Sequence, residues 1–553
     1  MMKNLKNICC AIILLLSIAS CNDFLNIPPV DMLTSDGFYE TPTQIDQGVV
    51  GMYTKLRDLS MNEYLYMSEC RSDNSWVIPR DNAIRQFSEI GTFRATEELA
   101  EFNSVWNLWY SVIYNANVLI TEIPDCDFGT ETKLKDQFLG EAYFMRGWAY
   151  FELVRLYGNI PLIDAPMTSS QVETIKQSPA IDIYNQIIIP DLQVAKSKLP
   201  YSVDMKDASG TSIAAKGRAD RLAATALLGR VYMTLSGFPH NDSSAQNLAE
   251  TELKEVIAYS ENNGDKYWAP DSTEWRKQWI PAKEYYNKYS LFAIQYRGGG
   301  TGNKAPFYFG PKIPKSYTTQ TPFGNLIYVE KSLVYEFDKI YTSRGKNLMD
   351  ARGYNHSVLA GYDAEDDYPA YSQIKDKLTL KDGSQVDVLT TAMFYKFMPS
   401  LRKVSALNMT VNVESTMTGS NDWPVNHPVI RYDDILLMYA EILAAKNDVT
   451  GAMKIVNRIR ERAGCDPETT SSSVEALEFV KRERRIEFMG EGVRWFDLVR
   501  WNDWKSAIAD MFDRYNNPEG TDKNDLKNGR YLYPIPLNQL NAKPGLYKQN
   551  DDY

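Results

Sequence analysis

Histidine is scarce in this chain, and most metal and triad chemistries go with it. The three histidines, His240, His356 and His427, lie far apart and far from any cysteine. No HExxH run and no paired CxxC occurs, so a zinc site is not expected. No G-x-S-x-G elbow is present and no other catalytic constellation stands out. Cysteine is thin as well: of six, Cys9 and Cys10 fall in an N-terminal leader and Cys21 at its end, leaving Cys70, Cys126 and Cys465. That odd, widely spaced trio implies no disulfide framework. A basic stripe is also missing. The formal charge is -11, or -13 once a leader carrying Lys3 and Lys6 is removed, which argues against a nucleic-acid partner.

What the chain has is length, apolar content and rings. Its 553 residues suggest three to four domains, although helical arrays run longer as single units. A hydrophobic fraction of 44% is ample for a large core. Eleven Trp, 35 Tyr and 21 Phe suit either a protein that stacks on ligands or a tyrosine-rich interior. The run Gly298 to Lys304, GGGTGNK, resembles a phosphate loop only loosely, since it lacks the G-K-[ST] ending and a strand-then-helix frame. Asp363, Glu365, Asp366 and Asp367 cluster, but without the spacing of a known calcium loop, and read as a solvated acidic turn. No cofactor is expected.

Lys3 and Lys6 precede an apolar run from Ile8 to Ile18, followed by Ala19-Ser20-Cys21. These are the three regions of a secretory signal peptide, and the run is too short to span a bilayer comfortably. Ile18-Ala19-Ser20-Cys21 further resembles a bacterial lipobox, in which the leader is cut before a cysteine that then carries acyl chains. Residues 1–20 are therefore expected to be removed. Residues 21–34, with Pro28 and Pro29, should form a lipidated tether, because several acyl chains on Cys21 anchor far more firmly than one.

The body reads as helical hairpins. Val105, Trp106, Trp109, Ile113, Ala116 and Ile120 mark a buried face between Asn103 and Ile123. Leu139, Ala142, Tyr143, Arg146, Tyr150, Leu153, Val154 and Tyr157 mark the next, with Gly147 admitting a close neighbour, Gly158 as cap and Pro161 as stop. Two such helices joined by a short turn form an αα-hairpin of the tetratricopeptide kind. Ile181 to Leu199 can pair with Ala219 to Leu235, followed by Leu248 to Tyr259, and Asp434 to Ala445 with Ala452 to Ala463. That predicts separated helical pairs rather than one continuous array. Between Tyr267 and Pro428, glycines, prolines and polar residues indicate long loops with short strands, where binding surfaces usually live. The predicted fold is mainly α, a tetratricopeptide-like scaffold carrying such loops, divided into 35–235 and 236–553.

Near the end, Ala476 to Trp504 reads ALEFVKRERRIEFMGEGVRWFDLVRWNDW. Five charges in a row, Lys481 to Arg485, sweep every face of a helix, so at least one points inward and needs a partner. The spacing pairs Arg484 with Glu487, Glu491 with Arg494 and Asp497 with Arg500. Gly490 and Gly492 would break the helix and let Val493 to Trp501 start another. A charge-laced structural corner is the main reading, and a catalytic use of Glu487 or Glu491 the alternative.

This stretch resembles the C-terminal signature of the SusD/RagB family, nutrient-binding lipoproteins of the Bacteroidetes outer surface. The residues are Arg482-Glu483-Arg484, Glu487, Glu491-Gly492, Arg494-Trp495-Phe496-Asp497-Leu498 and Arg500. Glu141-Ala142 to Arg146, Phe151 to Leu162, Arg431 to Glu441, Ile455 to Arg460, Tyr533-Pro534-Ile535-Pro536 and Gln549-Asn550 extend the likeness along the chain. The resemblance implies the SusD-like fold. It implies a lipid-anchored outer-membrane protein facing the cell exterior, one that captures oligosaccharides and closes over a SusC-like TonB-dependent transporter. It also implies that no bond is broken. Peptide uptake in the RagB manner, or less plausibly a surface glycosidase, are the alternatives.

Sugars offer C–H faces beside hydroxyls, so flat rings with hydrogen-bonding neighbours are the candidate contacts. Two loops supply them. The first carries Arg71, Asp73, Asn74 and Trp76, near where glycan-binding members of the family place contacts. The second carries Tyr296 and Arg297 with the glycine loop, then Tyr308 and Phe323. Burial of Trp76, and a structural salt bridge for Arg71 and Asp73, are the competing readings.

Overall fold

The structure is a computed structural model that describes residues 38–77, 85–213, 217–279, 288–310, 327–337, 339–353, 357–360, 377–379, 385–387, 392–394, 396–397, 418 and 422–553. Cys21, His356, the acidic cluster at 363–367 and Phe323 lie outside the described residues.

Helices carry the fold. α1 (Pro42–Lys55) opens on a capping box, Thr41 with Gln44, and on Pro42, which loses no bond in the first turn. α2 (Leu59–Cys70) leads into the first candidate loop. α3 (Ala100–Glu122) and α4 (Thr132–Tyr157) form the hairpin that the apolar spacing predicts. A short π-helix, Tyr184–Ile188, then runs into α5 (Ile189–Lys198). Pro190 accounts for that wider turn: it has no N–H to give, and its ring would collide with the carbonyl of Gln186 in a regular α-helix. Gly147 of α4 lies where a Cβ would stand 3.1 Å from Leu192, so its lack of a side chain sets the α4–α5 approach. Arg146, placed in the apolar stripe by its spacing, enters the core because both oxygens of Asp191 receive it, at 2.7 and 2.8 Å.

α6 (Arg221–Ser236) starts on Asp220, whose carboxylate accepts from the Ala223 amide, and packs on α5 and on α7 (Ala245–Asn262). The chain then leaves the helical layer for the loop-rich region and returns in α8 (Tyr432–Ala445) and α9 (Val449–Arg462). α8 packs directly on α7, and on α9 and α10 (Ser473–Glu487). The array from α3 to α10 is thus continuous, not the separated pairs that sequence spacing predicts. The loop region is an excursion from an unbroken stack, and sequence distance hides the α7–α8 contact. α11 (Arg494–Arg500) and α12 (Trp504–Arg514) follow, and a short helix, Leu537–Ala542, ends the order. No helix among the described residues is long and apolar enough to cross a membrane.

Strands are short. β1 (Ser75–Trp76), β3 (Tyr328–Val329), β5 (Ala392–Phe394) and β4 (Val358–Ala360) form an antiparallel sheet in that spatial order, with Tyr328 opposite both Trp76 and Met393. β2 (Ser290–Ile294) pairs with β6 (His427–Arg431) through a bulged register that runs from His427 opposite Ile294 to Arg431 opposite Ser290. β6 therefore delivers Arg431 to the start of α8 and to the ionic centre of the molecule.

A candidate ligand surface and the corner behind it

The corner between α10 and α11 forms as its glycines require. Gly490 and Gly492 take φ of +77° and +74°, and the buried Glu69 of α2 accepts both of their amides, at 2.9 and 3.0 Å. Two left-handed residues thus bind a carboxylate of the same chain. Glu483 and Arg484 of the charge run are buried. Five cations, Arg352, Lys396, Arg431, Arg460 and Arg462, face five carboxylates, Asp350, Asp433, Glu483, Glu487 and Glu491. Arg431 alone reaches Asp433 at 2.6 Å and Glu487 and Glu491 at 2.9 Å. Burial pushes the Glu487 carboxyl up, but Arg462, Arg431, Arg352 and Lys396 together outweigh it and hold it well below the usual range. A carboxylate held so firmly ionised, with Trp275 Nε1 also donating to it at 2.7 Å, suits a fixed counter-charge better than a proton shuttle.

Of the three pairings that helical spacing suggests, Asp497 with Arg500 forms, at 2.9 Å. The other two do not. Arg484 turns to Asp434 and Asp497, both at 2.8 Å, Glu491 to Lys396 and Arg431, and Arg494 to Asp73 at 2.7 Å. Gly490 and Gly492 change the chain direction between α10 and α11, and distant elements bring competing partners.

The first candidate loop is part of this interior. Arg71 is 1% exposed. It donates to the carbonyls of Arg530 and Leu532 and to the Tyr553 hydroxyl, with its guanidinium over the Tyr533 and Phe93 rings at 4.1 and 4.5 Å. Asp73 takes Arg494 through both oxygens, at 2.7 and 2.9 Å; burial alone would raise its pKa, yet Arg485 and Arg494 bring it far below the ordinary value. Asn74 binds Glu69 and Arg485. Trp76 stacks on Tyr515 with ring centres 3.7 Å apart and is 6% exposed. For these four residues, the competing structural reading is the one the geometry favours: all are buried, and the Arg71 guanidinium, the Asp73 carboxylate, the Asn74 amide and the Trp76 ring engage partners within the protein.

The second loop behaves differently. Tyr296 is buried, its amide donating to Asn426, and acts as an anchor. Arg297 is exposed. Gly299 and Gly300, at φ of +87° and +91°, aim their amides at Asp422 Oδ2, both at 2.9 Å, and Gly302 donates to Oδ1 at 2.7 Å. The loop that resembles a phosphate cradle is thus a nest already holding a carboxylate. It leads through Lys304, whose amide donates to Asn62 of α2, to a single-turn helix, Ala305–Phe309. There Phe307 and Tyr308 are half-buried, and Tyr308 lies edge-on to Tyr66 and Phe87 at 5.4 and 5.7 Å. Beside it, Glu63 of α2 and Glu101 of α3 place two carboxylates close together. Burial, with Glu101 adding to it, raises the Glu63 pKa to about 7. Half-buried Lys304, Phe307 and Tyr308 thus lie in one short segment, with Tyr308 on a base of Tyr66 and Phe87, and exposed Arg297 stands on the other side of the glycine loop in sequence. Trp76 and Arg71 belong to the interior beyond the other end of α2.

The sequence gives no sign of a cavity of about 450 Å³ between the C-terminal ends of α4 and α6 and the closing segment 529–551. Its residues come from stretches up to about 400 positions apart, and no periodicity could have joined them.

A continuous helical stack with a buried ionic corner and an inserted loop region defines a helical-repeat scaffold class of protein. The model of the SusD family matches residues 259–553, and a model described as starch-binding and associating with the outer membrane matches residues 23–233. The chain belongs to the SusD family. SusD-like protein P38 of Formosa agariphila is 23% identical over the full length of both chains. Among solved structures, a SusD homologue of Bacteroides thetaiotaomicron superposes with a TM-score of 0.72 at 22% identity, covering 94% of this chain and 98% of that one. Surface glycan-binding protein A of the same species, in complex with laminarihexaose, gives 0.66 at 19% identity, covering 92% and 98%.

Proposed function

We propose that this chain is a cell-surface glycan-binding lipoprotein. It captures oligosaccharides and delivers them to a SusC-like TonB-dependent transporter, without breaking a bond itself. The Tyr308 surface is the observation that carries the reading: half-buried rings on an aromatic base, in the same short segment as Lys304, suit a sugar's C–H faces and hydroxyls together. The family membership supports it, as does the fold shared with a glycan-binding protein that holds laminarihexaose. Acylation at Cys21 would fix the chain to the outer membrane, in keeping with the outer-membrane association in the second family description. Binding rather than hydrolysis is favoured because Glu487 and Glu491 are already held by cations.

The test is affinity electrophoresis of residues 22–553 in gels containing plant, host or microbial polysaccharides, followed by calorimetry. Retardation by one glycan, weakened about tenfold or more in Tyr308→Ala, is expected. No retardation by any glycan, with binding of peptides instead, would replace this reading by peptide uptake.

A further inference from the structure

The 450 Å³ cavity shares no residue with the Tyr308 surface and lies within the usual size range of small-molecule sites. Its polar floor is electrically closed: Arg155 is paired with Glu152, and Arg500 with Glu441 and Asp497. Two rings form a wall, with Phe238 edge-on to Tyr531 at 5.0 Å, and His240 lies edge-on to Tyr184 at 5.2 Å.

These walls are held from behind. A Cβ on Gly237 would lie 2.3 Å from the Arg500 carbonyl, which also accepts the Phe238 amide at 2.9 Å, so the chain passes close enough there to fix Phe238. Arg71 grips the carbonyls on both sides of Tyr531. Asn550 is fixed by its amide, which donates to the Tyr157 and Tyr533 carbonyls at 2.9 and 2.7 Å.

What remains unused is a mixed set of donors and acceptors. Both ring nitrogens of His240, Oδ1 of Asn550, Nδ2 of Asn159 and the Tyr531 hydroxyl have no hydrogen-bond partner among the described residues. Burial lowers the His240 pKa, so the imidazole is neutral at pH 7 and offers one donor and one acceptor. An anion would find only Lys548, which is exposed and has Asp551 3.9 Å away. Hydroxyl groups, which both donate and accept, match such a set, and the two rings supply an apolar face.

We infer that this cavity is a second ligand site that takes one or two units of a neutral saccharide, held between the Phe238–Tyr531 wall and the polar groups of His240, Asn159 and Asn550. Its chemistry is read from its own lining and stands apart from the Tyr308 surface.

The experiment is saturation-transfer NMR with titration calorimetry on residues 22–553, which retain every described residue. Maltose, cellobiose and laminaribiose are the neutral probes and glucuronate the anionic one. At least one neutral disaccharide is expected to bind the wild type. Its affinity should fall about tenfold or more in both His240→Ala and Phe238→Ala, at unchanged melting temperature, and persist in Tyr308→Ala. Three results would overturn the inference: no neutral disaccharide binds, glucuronate binds more tightly than all of them, or binding survives both cavity variants and is lost in Tyr308→Ala. The last would leave the Tyr308 surface as the sugar site and the cavity without one.

Discussion

Glu63 meets like charge on two sides. Burial comes first, Glu101 and Asp58 add to it, and Ser104 and Lys304 oppose without cancelling it, so its pKa is raised from 4.5 to about 7. The folded state therefore holds this proton more tightly than the unfolded one. The stabilisation is complete below pH 4.5 and is lost as the pH rises through about 7. Glu63→Gln should raise the melting temperature relative to wild type at pH 8 and change it little at pH 4.5, in thermal scans across that range. An equal shift at both pH values would show that the carboxyl is not the cause. Arg431 makes the opposite case, a charge that is fully compensated. Arg431→Met leaves Glu487, Glu491 and Asp433 short of a cation, and about 3–5 kcal/mol should be lost in urea unfolding. Adding Glu491→Gln should restore part of that loss, as expected for directly coupled groups. At this scale the sequence is legible only in part. That a charge in the run Lys481–Arg485 must be buried and paired follows from helical geometry. That Asp73 pairs with Arg494 does not, because 421 positions separate them. The same holds for Arg71 and its carbonyl partners beyond residue 529.

Elements are more legible than partners, since they depend on local spacing. The limits of α3, α4, α6, α8 and α9 follow the apolar pattern to within a few residues: α3 and α9 bury one face, whereas α4, α6 and α8 are buried on nearly every side over long runs. Exceptions have local causes as well, such as Pro190 and the π-helix before it. The glycines between α10 and α11 allow a direct test. Gly492 has φ +74°, and a Cβ there would meet Leu65 at 3.0 Å, so Gly492→Ala should cost about 1–2 kcal/mol from left-handed backbone strain alone. Gly51 lies in α1, where a Cβ would meet nothing within 4 Å, so Gly51→Ala should stabilise by about 0.5–1 kcal/mol. Chemical denaturation of both variants measures the difference. Opposite signs for the same substitution would separate a glycine required by the turn from one merely tolerated in a helix.

Across the whole molecule, the ionic corner joins regions that the sequence reading divides at residue 235. Arg230 of α6 donates to Asp434 of α8 at 2.6 Å, Glu69 of α2 holds the Gly490–Gly492 turn, and Asp73 receives Arg494. α7 packs on α8 across the loop excursion, so the helical layer has no gap along which it could part. Separating residues 35–235 from 236–553 would expose Glu69, Asp73 and Asp434 on opposite sides of a broken interface, and a buried charge stripped of its partner costs several kcal/mol. These contacts couple the two segments strongly enough that they should unfold together. Calorimetry of residues 22–553 should give one transition whose van't Hoff and calorimetric enthalpies agree. Arg494→Met should lower the temperature of that single transition without splitting it. Two resolved transitions in the wild type would mean that the ion pairs bridge independently stable units. The loops would then sit on a jointed support, and a fixed surface for ligand capture would no longer follow from the fold.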